Sequence, residues 1–285
     1  MARELRSICH VVPFCLLSFG SFAQVLDAQS ELRMGIAAYE NATYREAVEY
    51  LERAVSLDPT STKAHLYLAD AYNERYCENC EFDPGQASEI NDHWRVLAIA
   101  EYKKVLELDV SNTQALNRLG LRYYRQTDLE EAEPYYRKAI EVDPSNSEAL
   151  YTLAVINWER SYGVRMRERV ELKLSRKQNL IGLSSCGRIR AENLARVDEG
   201  IVLLTRTLQV LSAGEAMAYM AILYPERADI QCGDRSAYKD DLRTAAAWHE
   251  RGCETWHNPE RAELSWRGAV NPPPRSLKDD ASCPF

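Results

Sequence analysis

The chain has 285 residues, of which 46% are hydrophobic and 27% charged, with only 12 glycines and 11 prolines, so it can bury a sizeable core and its bulk does not have a disordered composition. A formal charge of -8 argues against wholesale nucleic-acid binding, which needs a basic surface to neutralise phosphates.

The amino terminus reads as a targeting segment. Arg3 and Arg6 precede an apolar run from Ile8 to Phe19, and Ser21-Phe22-Ala23 offers small residues where a signal peptidase needs them. The run falls short of the roughly 20 residues of a membrane span. Residues 1–23 are therefore expected to be a cleaved signal peptide, and the mature chain to be exported, periplasmic or secreted, in an oxidising compartment. Membrane contact follows only if the segment is retained.

A helical pattern with small anchors starts at Ala28. Met34, Gly35, Ala47, Leu51 and Ala54 form a first pair of helices closed by Asp58-Pro59. Leu68, Ala69 and Tyr72 begin a second pair near Thr62, whose second helix resumes at Ala98, Tyr102 and Val105 after an inserted acidic segment from Tyr76 to about Asp92. The stretch from Thr113 to Pro144 is complete: Leu116, Leu119, Gly120 and Tyr123 share one face, and Ala132, Tyr136 and Ala139 another. Gly120, Ala132 and Ala139 give the clearance that lets two helices approach to roughly 8 to 10 Å. Asp128 and Glu131 read as a capping pair, and Pro134 predicts a bend or a late start. A fourth pair starts at Ser147 with Leu150, Leu153 and Ala154, then opens into a basic insertion from about Tyr162 to Val197, with a short helix expected around Arg165 to Leu174. Its second helix resumes at Gly200. The fifth runs through Met217, Ala221 and Tyr224, then Ala245 and His249, around an insertion at Cys232. Residues 255–285, with Pro272-Pro273-Pro274, read as an unstructured tail.

Gly35 and Ala69, and again Gly120 and Ala154, stand one period of about 34 residues apart. With the small and aromatic anchors and the closing Asp-Pro, this resembles the tetratricopeptide repeat family, in particular secreted bacterial members. The resemblance implies an all-α fold over residues 24–254: an α-solenoid of about five helix-turn-helix repeats, with long insertions between the helices of repeats 2, 4 and 5. All three insertions would leave the stack along one edge, where inserted loops often mark a binding face. The basic insertion itself reads as a solvated charge run.

In this family the first helices line a concave groove. The resemblance places Ile36, Tyr39, Asp70, Asn73, Arg118, Leu121, Tyr124, Arg125, Val155 and Trp158 there, and tyrosine, tryptophan and arginine dominate interface energies. Of these, Tyr39, Asp70, Asn73, Arg118, Tyr124, Arg125 and Trp158 are the expected partner-binding residues. The carboxylate clamp of the family's best-known groove does not carry over, because Leu32, Ile36 and Tyr67 occupy three of its positions and only Arg118 is suitable.

Of the eight cysteines, Cys9 and Cys15 fall in the leader. Stacking makes neighbours of the loops bearing Cys186 and Cys232, predicting that bridge, and Cys77 and Cys80 are expected to pair locally. Cys253 and Cys283 stay unassigned. Cys77-Glu78-Asn79-Cys80 has redox-motif spacing, but its acidic neighbours disfavour the thiolate. His249, Cys253 and His257 recur every fourth residue and could approach a metal on an unbroken helix, which Gly252 and Asn258-Pro259 make doubtful. Gly182-Leu183-Ser184-Ser185-Cys186 lacks the last glycine of a nucleophile elbow, and no phosphate-cradling glycine loop occurs. The reading is a non-catalytic protein-interaction scaffold without a cofactor, binding an unidentified protein or peptide. A thiol or metal module on Cys77, Cys80 or the His249 cluster is the alternative.

Overall fold

The computed structural model describes residues 16–75, 84–174, 179–210 and 214–256, with side chains from Asp27 to Thr255 and, in the fourth helix, from Asp92. The described residues form ten helices and no strand: α1 (Leu16–Glu40), α2 (Tyr44–Leu57), α3 (Thr62–Arg75), α4 (Pro84–Leu108), α5 (Thr113–Arg125), α6 (Leu129–Val142), α7 (Ser147–Glu171), α8 (Cys186–Val210), α9 (Gly214–Asp229) and α10 (Arg235–Trp256). None of them is long and apolar enough to cross a membrane. The chain divides into two compact units, Met1–Ala115 and Leu116–Phe285.

The first unit is built from hairpins α1–α2 and α3–α4, with α2 also packed on α3. Gly35 lets α2 come so close that an added Cβ would stand 2.6 Å from Leu51 Cγ. Ala47, Leu51, Ala69, Ala98, Tyr102 and Val105 are all sealed from solvent, the anchors expected from spacing.

One recurring turn separates the hairpins. The carboxylates of Asp58, Asp109 and Asp143 accept from the backbone N–H two residues on, at 3.1, 3.1 and 2.9 Å, and from the hydroxyls of Thr60, Ser111 and Ser145. Ser61, Asn112 and Asn146 then cap the next helix by accepting from the N–H of Ala64, Ala115 and Ala149. Each aspartate thus ends one helix while its neighbour starts the next.

In the second unit α6 packs on α7, α7 on α8, α8 on α9 and α9 on α10. Asp128 caps α6 by accepting from the Glu131 N–H at 3.1 Å. Pro134 lies inside α6, which already begins at Leu129, so the late start expected from that proline does not occur. A proline this near the helix start removes only one early hydrogen bond.

The insertions expected as loops are largely helix. Pro84 opens α4 inside the first of them. In repeat 4, α7 continues unbroken to Glu171 and α8 starts at Cys186, so the separate helix expected around Arg165 to Leu174 is the end of α7. In repeat 5 only residues 230–234 separate α9 from α10. The basic insertion is not wholly a solvated charge run: Arg167 and Lys173 are exposed and Arg176 and Lys177 lie outside the described residues, but other cations of it are engaged. Arg165 donates to both carboxylate oxygens of Glu226 at 2.5 Å and to Asp229 at 3.0 Å, Arg188 pairs with Glu168, and Arg190 donates to the Ile230 carbonyl at 2.9 Å. Val164, Leu180, Ile189 and Ile230 form a small core of their own beneath these pairs.

Candidate protein-interaction face

The expected groove residues divide between the two units and differ sharply in accessibility. In the first unit Tyr39 is half-buried, its ring 5.7 Å from that of Tyr44 and 5.8 Å from that of Tyr67. Asp70 is buried and accepts from the Tyr102 hydroxyl at 2.5 Å and Gln114 Nε2 at 3.3 Å, so its charge is engaged within the fold. Asn73 is half-buried and donates to Glu74.

In the second unit Arg125 is exposed at the end of α5 and Arg118 half-buried. Burial pushes the Glu148 carboxyl up, while the Arg118 guanidinium and a hydrogen bond from Asn117 pull it back. Tyr124 and Trp158 are buried, and so are Leu121 and Val155; Ile36 of the first unit is half-buried. In the second unit the four buried side chains form a floor rather than a contact surface.

That floor is an aromatic cluster. The Trp158 ring stands 5.6 Å from Tyr219 and 5.2 Å from Tyr162, and Tyr151 meets Tyr219 edge-on at 5.6 Å. Edge-to-face pairs at these separations are favourable beyond their buried area. The Tyr124 hydroxyl donates to Glu159. Burial pushes the Tyr124, Tyr151 and Tyr219 hydroxyls far above the ordinary tyrosine value, and all three remain neutral donors. Burial also raises the Glu159 carboxyl, against the lowering effect of the Tyr124 hydrogen bond.

Sequence spacing missed Tyr151, Glu159 and Tyr219. Helix α7 is buried continuously from Ala149 to Trp158, so no single apolar stripe marks which of its side chains face α9. The dipeptide Trp158-Glu159 was the available signal, a carboxylate following an aromatic in a sealed helix.

Cys186 and Cys232 are joined by a disulfide, with Cα atoms 5.5 Å apart, as loop adjacency predicts. Cys77, Cys80, Cys283 and His257 lie outside the described residues. Cys253 Sγ stands 3.8 Å from His249 Nδ1, but Cys253 is itself disulfide-bonded and therefore offers no thiolate to a metal. Among the described residues no group of three or more His, Cys, Asp or Glu side chains is placed to hold a metal ion.

Tetratricopeptide-repeat models match residues 32–75 and 113–146. No curated protein sequence matches the chain. Among solved structures it is similar to the MamA protein, with a TM-score of 0.51 at 14% identity over 86% of this chain and 98% of that one. It is also similar to YrrB, described as a TPR protein with an unusual peptide-binding site, with a TM-score of 0.50 at 12% identity over 85% of this chain and 98% of that one. At such identities the likeness is one of fold, all-α and of the solenoid class. The repeat matches, the anchor glycines against Leu51 and Tyr136 and the recurring aspartate turns agree: the chain carries tetratricopeptide repeats over residues 32–75 and 113–146.

Proposed function

We propose that the chain is a non-catalytic interaction scaffold of the bacterial cell envelope, binding a partner protein or peptide along the first-helix faces of its repeats. The observation that carries this reading is the anchor geometry. Gly35 and Gly120 draw the second helix of each hairpin against one side of the first, through Leu51 and Tyr136. Tyr39, Asn73, Arg118 and Arg125 on those first helices retain accessible surface. Repeats of this kind recruit partners through side chains held on rigid hairpins, and YrrB, of similar fold, has a peptide-binding site. The envelope setting is supported by the leader-like amino terminus and by the Cys186–Cys232 bridge, a bond that persists in oxidising compartments. Nucleic acid is not a partner on this reading.

A photo-crosslinking side chain at Arg125 or Tyr39, expressed in native cells, should capture one defined protein. The same probe at Val202, 57% exposed on α8, should not. Equal capture from Val202, or none from either first-helix site, overturns the scaffold reading. The mass of the native amino terminus tests the setting: a chain beginning at Gln24 in the periplasmic or secreted fraction is expected, and a cytosolic chain retaining Met1 rules export out.

A further inference from the structure

Repeat 4 outgrows its neighbour. Helix α7 has 25 residues against 14 in α6, so at about 1.5 Å per residue it runs on by about 16 Å. The ion pair between Arg160 and Glu133, at 2.9 Å near the start of α6, marks where the overhang begins. Beyond it one side of α7 packs inward through Ser161, Val164, Glu168 and Arg169. The other side carries Tyr162, Met166 and Val170 at helical spacing, with Tyr162 38% and Val170 72% exposed. A cavity of about 350 Å³ opens along this side, lined by Gly163, Met166, Arg167, Val170 and Glu171. At Gly163, which lines it, nothing but the Arg167 guanidinium comes within 4 Å of where a Cβ would be.

Glu159 heads the same strip, two helical turns before Met166. Several other buried or half-buried carboxylates of this unit have cations: Glu226 and Asp229 hold Arg165, Glu168 pairs with Arg188, Asp241 with Arg227 and Glu199 with Arg137. Among the described residues Glu159 accepts only from the Tyr124 hydroxyl. Desolvating a carboxylate without a counter-ion is unfavourable, and the same low-polarity surround strengthens its attraction for any cation that arrives.

We propose that the overhanging face of α7 docks a segment of a partner protein that sets a lysine or arginine on Glu159 and lays apolar side chains along Tyr162, Met166 and Val170. This rests on the scaffold reading and names the chemistry of its partner. A cation supplied in trans gives Glu159 the counter-ion that no described residue provides, and the apolar strip is the length of two to three turns of a partner helix or a short extended segment. Arg167 and Glu171 carry opposite charges at the far end and leave the attraction for a cation concentrated at Glu159.

The test is selection of random 15-residue peptides, displayed on phage, against the full chain. Peptides enriched in lysine or arginine with nearby apolar residues are expected from the wild type. Glu159→Gln should abolish the basic enrichment, and Val170→Asp should weaken the selected peptides about tenfold by fluorescence anisotropy. Both positions are accessible, and unchanged helical circular dichroism checks that each variant folds. Tyr124→Phe, which removes the hydrogen bond but not the charge, should retain the basic preference. Peptides without basic enrichment, or insensitive to both changes, overturn this surface and leave the scaffold reading standing. A selection that returns no peptide counts against both.

Discussion

Gly120 lies against the ring of Tyr136 so closely that a Cβ there would stand 2.8 Å from Cε2 and 2.9 Å from Cζ. Tyr136 is completely buried and cannot give way. Gly120→Ala should therefore destabilise the second unit by up to about 2 kcal/mol, because overpacking costs about 1–3 kcal/mol against the roughly 1 kcal/mol gained in helix propensity. Gly163→Ala, with open space around it, should instead stabilise by about 0.5–1 kcal/mol. Urea unfolding of the two variants measures both, and equal effects would contradict the close approach.

Arg165 is the cation hydrogen-bonded to Glu226 and shares Asp229 with Arg169, which approaches to 4.0 Å. Burial pushes the Glu226 carboxyl up, and the Arg165 guanidinium pulls it back. Arg165→Met strands a buried carboxylate and should cost about 3–5 kcal/mol. The double variant Arg165→Met, Glu226→Leu should recover much of that loss, since it removes the stranded charge. Comparison of the two unfolding midpoints decides it.

The Cys186–Cys232 bridge spans 46 residues and ties the start of α8 to the turn before α10. Loop closure of that length implies about 2–4 kcal/mol from restriction of the unfolded chain. Cys186→Ser with Cys232→Ser should lower the midpoint of the second unit, and amide exchange should quicken around Ile189 and Ile230. Midpoints identical in the bridged and doubly substituted chains would show that the local core suffices.

Glu159 and Glu199 should respond oppositely to acid. A hydrogen bond from Arg137, reinforced by Asn157, lowers the Glu199 carboxyl, so its contribution is complete above the ordinary glutamate value and disappears as pH falls through the lowered folded value. Burial raises Glu159, so between the ordinary and the raised value the folded chain holds more proton than the unfolded one, and stability falls as pH rises through that window. Glu199→Gln should lower the thermal midpoint at about pH 7 with a smaller effect in acid, whereas Glu159→Gln should raise it at about pH 7 and change little at about pH 4. Melting curves of both variants across this range carry the test.

Spacing alone located Gly35, Ala69, Gly120 and Ala154 because clearance between two helices is a local demand that recurs with each hairpin. The aspartate turns were legible for the same reason, since Asp58, Asp109 and Asp143 act on residues two or three positions away. The Cys186–Cys232 bridge followed from stacking order. Tertiary packing decided the rest. Arg165, Arg188 and Arg190 read as a charged loop in sequence, yet Glu226, Glu168 and Ile230 engage them across distances no local pattern encodes. It likewise buried Tyr124 of α5 and Trp158 of α7, set Tyr219 of α9 against Trp158 and Tyr151, and left Glu159 without a cation among the described residues. Periodicity reports which residues share a helix face; which faces meet, and which charges find partners, depends on how far each helix extends past its neighbour.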